Sequence, residues 1–144
     1  MMLKEMKAFA KDKDICVLAT VAGGKPYCSL MAYVTDENCE EIYMVTLRGT
    51  RKYKNLTENR AVSLLIDGRE KSPRSETKAL TVEGVHVELE SDEKRKAVEA
   101  KLLDAHPHLV DLINHPEAKI LCIEISSFLM LKGFQDAHFE SIKS

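Results

Sequence analysis

Apolar residues recur along the chain at two periods, and the period separates helices from strands. Near the start, Leu3, Met6 and Phe9 lie at helical spacing, which predicts an amphipathic helix over Leu3–Lys11. The later apolar runs are short and bounded by turn residues, as is typical of strands. They predict six strands, which are Ile15–Val21, Tyr27–Val34, Ile42–Leu47, Ala61–Ile66, Ala79–Leu89 and Lys119–Lys132.

Two of these strands carry information about their faces, because successive side chains of a strand point to opposite sides. In the second strand we expect one alternate set to face the core, namely Cys28, Leu30, Ala32 and Val34. In Ala79–Leu89 the apolar phase changes across Gly84, which predicts a β-bulge at that glycine. A bulge bends a strand around a corner, so the pattern favours a curved sheet.

Capping residues predict where further helices begin. Thr50 is a suitable N-cap, and Gly49 before it permits a sharp turn or one with positive φ. Ser91 is a second N-cap, followed by acidic residues that suit the helix dipole. The predicted helices are bounded by Thr50 and Asn59, by Ser91 and His106, and by Leu109 and Ile113.

The order of these elements predicts the fold class. Short turns join the first three strands, and no repeated strand-helix-strand unit of a doubly wound fold follows. We therefore expect an α+β, mainly β fold, with a six-stranded antiparallel barrel and short flanking helices. Asp67–Lys78 is charged, contains Gly and Pro and has no period, which predicts a mobile surface connection.

Length and charge narrow the class of protein. The chain has 144 residues and a formal net charge of −2. This length predicts one domain over residues 1–144. Because acidic and basic residues are interspersed, we expect neither nucleic-acid nor membrane binding. The N-terminus is too charged for a signal peptide and no apolar run reaches transmembrane length, which favours a cytoplasmic protein.

Cysteines and histidines do not predict a metal site. The cysteines match no zinc spacing and are expected to be reduced, three of them buried; they are Cys16, Cys28, Cys39 and Cys122. Cys39 lies in an acidic turn and is the one cysteine expected to be exposed enough for redox reactivity, a role that the sequence does not favour. The His106-Pro107-His108 run has no carboxylate or cysteine at ligand spacing, so no metal is expected.

The turn after the third strand carries the candidate chemistry. Arg51 and Lys52 begin a helix, where the helix dipole is already positive. Two cations there disfavour an isolated helix end, and a bound anion such as a phosphate would offset them. The alternative is that both side chains are solvated surface charges, and the pair taken alone favours that alternative.

With these elements placed, three blocks resemble the FMN-binding split-barrel family related to pyridoxamine 5'-phosphate oxidase. Pro26–Ala32 resembles the strand that lies along the flavin. Val45–Lys52, with Leu56 and Asn59 after it, resembles the phosphate-binding strand, turn and helix, and Thr81–Gly84 resembles a bulged strand. The resemblance implies that the barrel is split.

The resemblance also implies FMN as the cofactor and a set of residues around it. Arg51 and Lys52 would bind the phosphate, with Thr50 as an added hydroxyl donor. The two neighbouring strands would contact the rest of the flavin through Ser29, Leu30, Met31, Val45 and Thr46. For Ser29 and Thr46, an ordinary sheet position with a satisfied hydroxyl is an equal alternative.

The residues that differ from the oxidase concern its substrate. This chain has Ser29 and Val34 where the oxidase has Arg and Lys, and Ala79 in place of a flavin-contacting Gln. The Tyr, Arg and Ser that hold pyridoxal phosphate have no counterpart in Ser91–Pro107. Genuine pyridoxamine phosphate oxidase activity is therefore not expected, and the substrate and catalytic residues stay unassigned.

Two classes of function follow from the resemblance. The first is an FMN-dependent oxidoreductase that acts on a small molecule, as a homodimer with flavin sites at the subunit interface. The second is a non-catalytic flavin- or haem-binding protein that serves storage, sensing or haem utilisation. His138, after Gly133-Phe134, is either a haem-site residue or an exposed tail residue, since Gly-Phe tails occur in haem-utilising relatives. A deazaflavin in place of FMN is a further variant.

Overall fold

The computed structural model describes residues 2–68, 77–133 and 136–142. The helices are α1 (Met2–Asp12), α2 (Arg51–Glu58), α3 (Asp92–Ala105) and α4 (Val110–Ile113), with a 3₁₀ turn at Pro107–Leu109. The strands are β1 (Ile15–Ala22), β2 (Lys25–Ala32), β3 (Val34–Thr35), β4 (Glu41–Leu47), β5 (Ala61–Asp67), β6 (Lys78–Val87), β7 (Ala118–Lys132) and β8 (Asp136–Ser141). Phe134 and most of the predicted connection at Asp67–Lys78 lie outside the described residues.

The strands form one antiparallel sheet in the order β2-β1-β5-β6-β7-β4-β3, with β8 also paired to β7. The sheet curls around a core that includes Leu18, Ile42, Leu64 and Phe128. The predicted antiparallel split barrel is confirmed, with eight strands in place of six. The additional strands are β3, which follows a break at Tyr33, and β8, which forms in the predicted tail.

Two outer layers complete the fold. Helix α1 covers one end of the barrel, where the Tyr33 hydroxyl donates to the Ala10 carbonyl at 2.6 Å. A second apolar cluster packs α3 and α4 against β4 and β7, with Leu102 and Cys122 fully buried in it. No helix of the described residues is long and apolar enough to cross a membrane.

The predicted inward face of β2 is wrong. Leu30 is 75% exposed and Cys28 is also exposed, whereas Met31 and Tyr33 are buried. β2 is an edge strand whose two alternate sets both contain apolar residues, so the pattern alone does not choose between its faces. Val34 is nevertheless buried, because the break after β2 changes the phase.

The predicted bulge is confirmed at Gly84, where the register between β6 and β7 shifts. The extra residue is Ser126 of β7, and β6 itself keeps strict alternation, with both Gly84 and His86 buried. The predicted change of burial phase within β6 is therefore wrong. A Cβ at residue 84 would collide with the Glu124 carbonyl oxygen and lie 2.9 Å from Ile123 Cγ2, so only glycine fits beside the bulge.

The predicted exposure of Cys39 is also wrong, because its side chain is fully buried. Asp36 Oδ1 accepts the N–H groups of Glu40 and Glu41 at 2.8 and 2.9 Å and so tightens the turn. Cys39 adopts φ 50° in this turn. Burial raises the pKa of its thiol to about 11, so Cys39 is poorly suited to redox reactivity. The exposed cysteine is Cys28.

Candidate cofactor site

A cleft of about 300 Å³ lies in the split of the barrel. Strands β2 and β4 border it, because the curled sheet brings its two ends together there. Among the described residues, β2 pairs only with β1, and β4 pairs with β3 only at Ile42 and Tyr43. Both strands therefore present an edge with unpaired backbone groups, which can hydrogen-bond a ligand between them.

The cleft brings together most of the residues that the sequence predicts. Its lining consists of Leu30, Met31, Ala32, Val45, Thr46, Leu47, Thr50, Lys52, Leu109 and Leu112. Ser29 and Arg51 are the predicted residues that do not line it. Ser29 is half-buried and pairs with Leu18 in the sheet, so the alternative of an ordinary sheet position fits it.

Helix α2 begins at one end of this cleft and is docked firmly. Asn55 and Leu56 are buried, and Asn55 Nδ2 donates to Thr20 Oγ1 of β1 at 3.1 Å. The predicted Thr50 N-cap is present, since its Oγ1 accepts the Tyr53 N–H at 3.4 Å. Gly49 turns the chain without positive φ, and a Cβ there would meet nothing within 4 Å.

The Thr50 hydroxyl is already engaged. It donates to the Leu47 carbonyl at 2.8 Å, so in its 3.1 Å contact with Thr46 the Thr46 hydroxyl is the donor. The expected donation from Thr50 to a phosphate would break the bond to Leu47. The open donors at this helix start are instead the backbone N–H groups of Arg51 and Lys52, since Thr50 accepts those of Tyr53 and Lys54.

Lys52 and Arg51 occupy different environments. Lys52 is half-buried, lines the cleft and has no hydrogen bond or ion pair with any other described residue. Burial lowers the pKa of its ammonium group. Arg51 is exposed, and its guanidinium lies 5.6 Å from the ring centre of Tyr27 on β2. Lys52 is thus the cation that lines the cleft, whereas Arg51 lies outside the lining.

Leu109 and Leu112 were not predicted to belong to the site. Both are half-buried and line the cleft. Their segment is fixed at both ends, because His106 Nε2 lies 3.0 Å from the Tyr33 carbonyl oxygen and Ile113 is buried in the second cluster. The leucine spacing predicts a helical turn, but nothing in it indicates that the turn packs beside the split.

A row of side chains, apolar except for Thr81, crosses the outer face of the sheet. We call it the outer stripe; its members are opposite one another across six paired strands, in the order Leu30, Val17, Leu65, Thr81, Leu129 and Phe139. Leu30 is 75% and Phe139 61% exposed. Leu30 also lines the cleft, so the stripe and the cleft adjoin.

His138 lies on β8, next to Phe139 of the outer stripe. It pairs with Met130 of β7, is half-buried, and its Nε2 is 3.2 Å from the Asp136 carboxylate. It does not line the cleft. Among the described residues, no group of His, Cys, Asp and Glu side chains is placed to hold a metal ion.

Solved structures share this fold at low identity. The haem-binding protein from Mycobacterium smegmatis has a TM-score of 0.85 and 19% identity, over 98% of this chain and 58% of that protein. An FAD-binding protein from Mesorhizobium loti has a TM-score of 0.73 and 17% identity, over 88% of this chain and 91% of that protein. HutZ, the haem storage protein from Vibrio cholerae, has a TM-score of 0.65 and 21% identity, over 94% of this chain and 92% of that protein. This chain therefore spans less than two thirds of the Mycobacterium smegmatis protein.

Sequence comparison identifies the family. No curated protein matches the chain. The family model described as pyridoxamine 5'-phosphate oxidase matches residues 2–132, which include every strand that borders the cleft. The chain belongs to the pyridoxamine 5'-phosphate oxidase family.

Proposed function

We propose that this chain binds FMN in the cleft and works as a cytoplasmic flavin-dependent oxidoreductase. The observation that carries the proposal is Lys52, a half-buried cation without a partner among the described residues, at the end of an apolar cleft. A half-buried ammonium group is stabilised by an anion that reaches it. The FAD-binding neighbour from Mesorhizobium loti supports a flavin as the ligand.

The residues present fit the two parts of FMN. Lys52 and the open N–H groups of Arg51 and Lys52 would bind the phosphate. The apolar lining, with Met31 and Val45 on the two strands, would hold the ring, and the strand edges would meet its polar groups. A bound flavin supplies the electron-transfer chemistry, while this chain's residues bind and orient it and exclude water.

We further propose a homodimer that covers the outer stripe. A row of apolar side chains on an exposed sheet face is typical of an interaction surface. A two-fold partner is suggested because the stripe reaches Leu30 at the mouth of the cleft, so a second copy there would also close the flavin site. Leu65→Glu, near the centre of the stripe, should give a monomer in sedimentation; a dimer of unchanged affinity would remove the stripe from the interface.

Pyridoxamine phosphate is not the proposed substrate. The charged helix α3 occupies the sequence position of the substrate-binding residues in the oxidase, and it has no Tyr or Ser within Asp92–Ala105. The cleft offers Lys52 as its only charged side chain among the residues that line it. If Lys52 binds the cofactor phosphate, the lining contributed by this chain has no second charged side chain for a substrate phosphate.

Haem binding is the second candidate. Two neighbours are named for haem, those from Mycobacterium smegmatis and Vibrio cholerae. In this chain the supporting observation is His138, because a carboxylate at 3.2 Å orients an imidazole, as it does for metal-ligating histidines. A haem ligated by His138 would lie at β8 and not in the cleft.

Titration of the purified protein with FMN, riboflavin and haemin separates these candidates. We expect FMN to bind and its fluorescence to be quenched, with riboflavin binding more weakly because it lacks the phosphate. A Soret band that is lost in His138→Ala, with no response to FMN, would support haem and overturn the flavin proposal. Equal affinity for FMN and riboflavin would remove Lys52 from the phosphate site.

A further inference from the structure

One buried hydrogen bond ties helix α2 to the barrel. Asn55 Nδ2 donates to Thr20 Oγ1 of β1 at 3.1 Å, and the two residues are only 6% and 2% exposed. Among the described residues, no other side chain of Arg51–Glu58 has a hydrogen bond to a strand. Because both partners are already buried within one chain, a second copy of the chain neither supplies nor replaces this contact.

The same face of α2 makes a second contact with the first hairpin. Arg51 is four residues before Asn55, so the two side chains lie on one face of the helix. Tyr27, whose ring centre is 5.6 Å from the Arg51 guanidinium, pairs directly with Thr20 across β1 and β2. The helix face therefore contacts both strands of the hairpin at one cross-strand pair.

The hairpin that α2 contacts also borders the cleft. Residues 30–32 of β2 line the cleft, and Lys52 is three residues before Asn55 on α2. A shift or rotation of α2 on the hairpin would therefore change the position of Lys52 relative to β2. Groups that bind a ligand must be held to within about 0.5 Å of their working positions by supporting hydrogen bonds.

We propose that Asn55 and Thr20 are positioning residues for the cofactor phosphate. Their hydrogen bond holds Lys52 and the open N–H groups at the start of α2 at a fixed distance from β2. Neither residue lines the cleft, so they act through α2 and not by contact with the ligand. The inference rests on the proposed FMN site and adds the contact that holds the phosphate-binding end of that site in place.

The test compares the affinities for FMN and riboflavin of wild-type protein, Asn55→Leu and Thr20→Val, measured by fluorescence titration. Both substitutions keep the size of the side chain and remove one partner of the hydrogen bond. We expect each variant to bind FMN at least about fivefold more weakly. Riboflavin affinity should stay the same, because riboflavin has no phosphate. The double variant should lose no more FMN affinity than either single variant, because all three lack the same hydrogen bond.

Two control variants accompany these. Thr20→Ser keeps the hydroxyl that accepts from Asn55 and should bind FMN like wild-type protein. Thr57→Val removes a hydrogen bond of the same helix, from Thr57 Oγ1 to the Lys54 carbonyl, at an exposed position away from β1. It should leave both affinities unchanged.

The outcomes distinguish this inference from the FMN proposal. If wild-type protein does not bind FMN more tightly than riboflavin, the proposed phosphate site fails and the inference fails with it. If wild-type protein prefers FMN but Asn55→Leu and Thr20→Val lose both affinities equally, or lose neither, only the inference is overturned. Additive losses in the double variant, or an equal loss of FMN affinity in Thr57→Val, also overturn it. Should Asn55→Leu not fold, the comparison of Thr20→Val with Thr20→Ser decides.

Discussion

Replacing Lys52 by methionine should weaken FMN binding and leave the free energy of unfolding of the flavin-free protein almost unchanged. Methionine keeps an unbranched side chain of similar length and removes the charge. In the flavin-free protein, Lys52 has no partner among the described residues and its pKa is lowered by burial. The folded protein therefore gains little from this charge, and its removal leaves no unpaired group behind.

The expected size of the effect follows from these contacts. Loss of one charge-assisted contact with phosphate should weaken FMN binding by about 1.5–3 kcal/mol, which is about 10- to 150-fold in Kd. Riboflavin affinity should not change, because riboflavin lacks the phosphate. The free energy of unfolding without flavin should change by no more than about 0.5 kcal/mol, as for a surface substitution.

Fluorescence titration with FMN and riboflavin measures the first effect, and urea denaturation of the flavin-free protein measures the second. Lys54→Met is the matched control, since Lys54 lies on the same helix but is exposed and outside the cleft. A parallel loss of riboflavin affinity would refute the role of Lys52 at the phosphate. So would an equal effect of Lys54→Met. Arg51→Ala should have a smaller effect, because Arg51 is exposed and outside the lining.

Three further predictions concern stability and reactivity. Gly84→Ala should lower the free energy of unfolding in urea by about 3 kcal/mol or more, because backbone must move; Gly49→Ala, which meets nothing, should stay within about 0.5 kcal/mol. Burial lowers the pKa of His86, whose Nε2 has no partner among the described residues. The unfolded chain then binds the proton more tightly, so stability should fall as pH drops below 6.5, and His86→Leu should reduce this slope. A thiol reagent at neutral pH should label Cys28 in the native protein and Cys39 only after unfolding.

The sequence predicts those features of the fold that depend only on residues close together in the chain. Thr50 and Ser91 cap helices because their hydroxyls accept backbone N–H groups within the next turn. Burial depends on neighbours that the local sequence does not contain. The predicted inward face of β2 is wrong because both alternate sets of this strand contain apolar residues, and the predicted exposure of Cys39 is wrong because the Asp36 turn folds it inward.

In the candidate site, too, the sequence predicts local structure but not contacts between distant parts of the chain. The block from Val45 to Lys52 predicts a strand, turn and helix that can hold an anion, and the structure places Lys52 at the cleft. Arg51 instead lies near the ring of Tyr27, which is more than twenty residues earlier in the chain, so the local sequence does not predict this contact. Leu109 was missed because its contact with the cleft follows from the path after α3, which periodicity does not specify.

The fold alone does not determine which ligand binds in the split of the barrel. Neighbours named for FAD and for haem share the fold at 17–21% identity, so the side chains that face the split must determine the ligand. In this chain the lining combines one cation at the start of α2 with mostly apolar side chains. Such a cleft suits a cofactor with an anionic tail and a largely apolar ring. Lys52 variants should therefore weaken the binding of the tail and leave the contacts of the ring unchanged.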